Sequence, residues 1–81
     1  MNKVLIVFAS STSANQVKRV LSKKYGIKST LIQAPKALNL SGCSYCLELN
    51  REDMETAWQL ISANGLSSKG IYDIRDYRRI K

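Results

Sequence analysis

The chain contains no histidine. That removes the side chain most often used as a general base near neutral pH, and with it the commonest nitrogen ligand for metals. Among 81 residues there are one proline, one tryptophan, one phenylalanine and only two cysteines. No acidic residue precedes Glu48. Glu52, Asp53 and Glu55 then sit where a helix begins and read as first-turn charges, not as an acid/base pair. Long apolar runs are also missing. Val4–Ala9 spans six residues, short of the roughly 7–15 of an export-signal core and the ~18 of a membrane span. These absences predict a cytoplasmic protein with no membrane segment, no metal and no cofactor. Its cysteines should be thiols and not a structural disulfide.

With 44% hydrophobic and 23% charged residues, the composition is that of a globular chain. Its length predicts a single domain over residues 1–81, ending in a basic tail over 75–81. The net charge is +7. Lys3, Lys18, Arg19, Lys23, Lys24, Lys28 and Lys36 all precede the first acid, and Arg75, Arg78, Arg79 and Lys81 close the chain. A field of this sign favours acidic proteins, small anions or polyanions.

Lys3–Phe8 is a continuous β-branched and aromatic run, as expected of a strand buried on both faces. Ser10 to Ser13 break it, and Ser13 with Gln16 makes a capping box that predicts a helix start at Ser13. Ala14, Val17, Leu21 and Tyr25 recur at helical spacing as its apolar stripe, and Gly26 ends it. Lys28–Gln33 reads as a second strand. In a third, Tyr45, Leu47 and Leu49 alternate with Cys46 and Glu48, so the first set should face the core and the second an open sheet face. Asn50, with Asp53 three residues on, predicts a second helix carrying Met54, Ala57, Trp58 and Ile61 inward. Gly70–Ile74 is the last strand. The order β-α-β-β-α-β predicts an α+β fold of the ferredoxin-like split type: a four-stranded antiparallel sheet with two helices on one face. Right-handed crossovers put the first and third strands in the centre and the fourth beside the first.

The connection from Ala34 to Cys43 takes ten residues, against the usual ~4–6, and long loops are often functional. It holds the only proline, Pro35, then Lys36, and ends in Ser41-Gly42-Cys43. Gly42 permits a positive φ or a close backbone approach, and a cysteine at a loop-to-strand junction is expected to be accessible. These residues point to a carrier or redox role for Cys43. The loop is expected at the end of the sheet where the first strand begins and the last finishes. Lys3, Lys23, Lys24, Lys36 and the tail should gather there, opposing both helix C-termini and mildly lowering the Cys43 pKa. Cys46 completes a C-x-x-C spacing. If residues 43–46 are extended, their Cα atoms lie about 10 Å apart, whereas a disulfide needs less than about 7 Å. Two thiols alone leave a zinc or copper site incomplete. Cys46 is either a small residue on the open face or a second thiol. RNA-binding domains of this strand order stack bases on exposed central-strand aromatics. Here that face would carry Ser44, Cys46 and Glu48, which argues against nucleic acid.

Ala34-Pro35, Ser41-Gly42-Cys43, the alternating strand to Leu49, the helix after it, and Gly65 leading to Gly70–Ile74 resemble the small bacterial proteins named selenium/sulfur carrier-like. The resemblance runs from the opening strand to about Ile74. It departs at Ser44, where glycine is usual, and at Cys46, where a small residue such as alanine is usual. It implies that Cys43 carries sulfur or selenium as a persulfide or selenosulfide, with Pro35, Lys36, Ser41 and Gly42 supporting it. It also implies donor and acceptor proteins as partners, and a carrier more than a turnover enzyme. The alternative is a small non-enzymatic regulatory or interaction module pairing through its sheet, as a homodimer. A basic nucleic-acid-binding domain ranks behind both.

Overall fold

The computed structural model describes residues 3–36, 45–65 and 68–80. Along the chain come β1 (Lys3–Phe8), α1 (Ser11–Tyr25), β2 (Thr30–Gln33), β3 (Tyr45–Asn50), a 3-10 turn (Arg51–Asp53), α2 (Met54–Ala63) and β4 (Ile71–Asp73). The sheet has the order β2-β3-β1-β4 with every pairing antiparallel. This is the expected α+β, split β-α-β-β-α-β arrangement. Among the described residues no helix is long and apolar enough to cross a membrane.

The alternation along each strand sorts the side chains into two layers. Val4, Ile6, Phe8, Leu47, Leu49 and Ile71 point to the helices and meet Ala14, Val17 and Leu21 of α1 and Met54, Ala57, Leu60 and Ile61 of α2. On the other face, Leu5, Val7, Ala34 and Cys46 form a second buried cluster, with Ile32, Tyr72 and Ile74 packed against it. The expectation of an open face is therefore corrected. Leu5 and Val7 are each 1% exposed there and Cys46 is 0%. The unbroken apolar run of β1 is a strand covered on both sides, as its sequence pattern implies.

α1 starts one turn earlier than the Ser13 capping box predicts. Ser10 takes the extended N-cap conformation and its Oγ accepts from the Ser13 N–H at 3.3 Å. The Ser10 hydroxyl in turn donates to Ser13 Oγ, so Ser13 occupies the third helical position and supports the cap. The helix closes as expected: Gly26 is left-handed at φ 66, and the Ile27 N–H reaches back to the Leu21 carbonyl at 3.0 Å, a Schellman closure. α2 lacks the predicted Asn50 cap. Asn50 is the last rung of β3, paired with Lys3, and makes no side-chain cap bond; the chain instead tightens into the 3-10 turn.

Tyr25 is a further correction. It fits the apolar spacing of α1 but is 46% exposed, because it closes the final turn, next to Gly26. The tail also folds back. Asp73 N–H donates to the Arg78 carbonyl and Ile80 N–H to the Ile71 carbonyl, Tyr72 bridges Arg79, and Ile80 packs on the core. Residues 78–80 thus line the outer edge of β4, which would otherwise offer unpaired backbone groups.

Candidate functional site

The site begins with strand direction. Phe8 pairs with Tyr45, and Lys3 with Asn50, while Gln33 also pairs with Tyr45. β2 is antiparallel to β3, which is antiparallel to β1, so β2 and β1 run the same way and finish at the same end. The loop entering β3 is therefore attached where β1 ends and β4 begins, opposite to the predicted end. Lys3, Lys23, Lys24 and Arg75 lie away from it. Lys36 follows β2 at the loop end, and Lys69 joins it through its N–H to the Val7 carbonyl at 2.7 Å. The helix poles are mixed there and not both negative. α1 begins at that end and α2 finishes there, so the N-terminal pole of α1 favours an anion while the C-terminal pole of α2 opposes it.

Cys43, Ser41 and Gly42 lie outside the described residues. The chain holds Cys43 two residues ahead of Tyr45. Of the supporting pair, Pro35 is half-buried and Lys36 is exposed. Ala34, expected as the start of the long connection, packs against Cys46, Leu5 and Val7. Its small side chain directly before Pro35 was the available signal.

Cys46 is placed completely. It pairs with Val7 on one side and Ile32 on the other and has no exposed surface. It is a free thiol. Burial penalises the charged form, and its pKa is pushed up to about 11 from an ordinary value of 9.0. A sulfur with that environment stays protonated near neutral pH, and the thiolate is the nucleophile and the metal ligand. Cys46 therefore behaves as a small core residue.

A second polar cluster lies at the far end of the sheet. Asp73, almost fully buried, accepts from the Arg75 backbone N–H at 2.8 Å, the Arg75 guanidinium at 3.3 Å and Arg51 Nη1 at 3.2 Å. The side-chain and backbone hydrogen bonds from Arg75 hold its carboxyl below the usual range. This arrangement fastens the start of α2 and the returning tail to β4. Lys3 and Glu48 pair at 3.0 Å on the other face. Among the described residues no group of three or more His, Cys, Asp or Glu could hold a metal ion.

Comparison with known proteins adds a family. A profile described as "Putative Se/S carrier protein-like" matches residues 3–73. No curated protein and no solved structure matches the chain.

Proposed function

We propose, from the premise that the chain belongs to this Se/S carrier protein-like family, that it carries sulfur or selenium on Cys43. The observation that carries the choice of residue is the burial of Cys46. The chain has two cysteines, and a carrier sulfur must be reached by a partner and must ionise. Cys46 does neither easily, which leaves Cys43. Its tether to Tyr45 attaches it to the sheet end at which α1 begins and Lys36 follows β2, features that favour a thiolate, against the C-terminal pole of α2 at the same end.

The transfer itself is an exchange at sulfur. The Cys43 thiolate attacks the outer sulfur of a donor persulfide. The new S–S bond forms as the old one breaks, and the donor leaves as its thiolate. Cys43 then bears the persulfide and passes its outer sulfur to an acceptor thiolate or other nucleophile by the same step. Selenium follows the same path through a selenosulfide. No net oxidant or reductant is needed.

The test is intact-mass analysis after incubation with a cysteine desulfurase and cysteine. Wild type should gain one sulfur that a thiol reductant removes, and Cys43→Ser should gain none. Equal adducts on both proteins, or none on wild type, would refute the assignment.

A further inference from the structure

We propose that the outward face of α1 is the docking surface for an acidic partner protein. That this partner is the sulfur or selenium donor or acceptor rests on the carrier reading above. Asn15, Lys18, Arg19, Ser22 and Lys23 line one shallow groove of about 290 Å³. Their spacing (i, i+3, i+4, i+7, i+8) sets them on one stripe, turned away from the buried Ala14, Val17 and Leu21. α1 contains no acidic residue. Elsewhere three cations are paired: Lys3 with Glu48, and Arg51 and Arg75 both with the one carboxylate of Asp73. Lys18, Arg19 and Lys23 make no ion pair among the described residues. Tyr25, three positions beyond Ser22, stands exposed at the end of the same helix. Tyrosine and arginine are the residue types that anchor protein interfaces.

The chemistry of the groove selects the occupant. It is at the lower limit of small-molecule pockets, roughly 300–1,000 Å³, and every residue lining it is polar or charged, so only the aliphatic stems of Lys18, Arg19 and Lys23 offer apolar surface. Cations interleaved with the amide of Asn15 and the hydroxyl of Ser22 suit carboxylate side chains presented by a facing protein. Nucleic acid fits less well. Lys18 to Lys23 covers only about 7.5 Å of helix, far from the span of the roughly 6–10 phosphate contacts of a strong nucleic-acid binder. The sheet face that would stack bases is buried. The reach also fits a carrier. The stripe starts about 6 Å from the first residue of α1, at the sheet end to which the Cys43 loop is attached. A standard interface of ~800 Å² per partner is roughly 30 Å across, so a protein seated on α1 extends to the end of the sheet where β3 begins.

The experiment is an NMR titration of the isotope-labelled full chain with a glutamate-rich peptide, and with a single-stranded oligonucleotide of equal charge. Wild type is compared with the triple variant Lys18→Glu, Arg19→Glu, Lys23→Glu and with the corresponding glutamine triple, which keeps the test open should the reversed variant misfold. Peptide-induced shifts should cluster on residues 15–25. Affinity should fall on the order of tenfold in the glutamine variant, more in the reversed one, and fall with added salt. Shifts centred on 75–79, unchanged affinity in both variants, or tighter binding of the oligonucleotide to the α1 face would each overturn the proposal. The carrier reading fails separately, if inorganic polysulfide, which needs no docking, leaves no sulfur on Cys43 of the wild type.

Discussion

Replacing Cys46 by serine should destabilise the protein more than replacing it by alanine, although serine is closer in shape. The side chain lies between Val7 and Ile32 in a fully buried apolar layer with Leu5 and Ala34. Serine puts a hydroxyl there without a compensating partner, at a cost of about 1–3 kcal/mol. Alanine only deletes one heavy atom and leaves a small void, at about 1 kcal/mol. For a domain of this length each kcal/mol moves the melting midpoint by ~4–8 °C, so Cys46→Ser should melt roughly 4–24 °C lower than wild type. Urea unfolding monitored by circular dichroism measures the difference, with an unchanged slope showing that stability alone has altered. Both variants should still take up sulfur. Serine tolerated as well as alanine would refute the buried apolar environment.

Thiol alkylation followed against pH should label Cys46 only on unfolding or at strongly alkaline pH, since at pH 8 a thiol with a pKa near 11 is about one part in a thousand thiolate; labelling of native Cys46 at the rate of a free cysteine contradicts this. Its raised pKa contributes stability below the unfolded value that is lost as pH rises from about 9 towards 11, so melting midpoints of wild type should fall faster over that window than those of Cys46→Ala. Asp73 has the opposite sign. Its depressed pKa contributes stability above its unfolded value, about 3.9, that disappears as pH falls through the folded value; Asp73→Asn should therefore be less stable than wild type at neutral pH, and the gap should narrow in acid. Leu47→Ala, at a site with no exposure in the central strand β3, should cost roughly 2–5 kcal/mol in urea unfolding, and a cost under about 1 kcal/mol would show that the helix-side layer is looser than described.

Much of the architecture could be read from pattern alone. The run Lys3–Phe8, the alternation of Tyr45, Leu47 and Leu49, and the glycine at position 26 each have one physical interpretation, and all three hold. Position along the helices was harder. Ser10, Ser11 and Ser13 all qualify as caps, and only the point where β1 stops decides for Ser10. Two signals about the sheet conflicted: β1 read as covered on both faces, while Cys46 and Glu48 on β3 read as an open face. The covering of Leu5, Val7 and Cys46 resolves it in favour of β1. The sheet end that bears the connection into β3 follows only from strand sense carried through the α1 crossover: β1 and β2 run the same way, so β3 starts where β1 ends. With strand sense followed, the cations expected around the thiol divide: Lys36 stays at the loop end, whereas Lys3, Lys23, Lys24 and Arg75 lie at the opposite end of the sheet. Cys43 itself was legible only as a residue type at a junction, and no periodic pattern fixes a long loop.

Trypsin offers a direct site-resolved measurement. Lys36 and Arg51 bound a stretch with no lysine or arginine between them, so one peptide, residues 37–51, carries both cysteines. After loading with sulfur and trapping of the persulfide, tandem mass spectrometry of that peptide assigns the added atom to one sulfur. The account predicts it on Cys43, with Cys46 unmodified. An added sulfur on Cys46, or none on either residue, contradicts it.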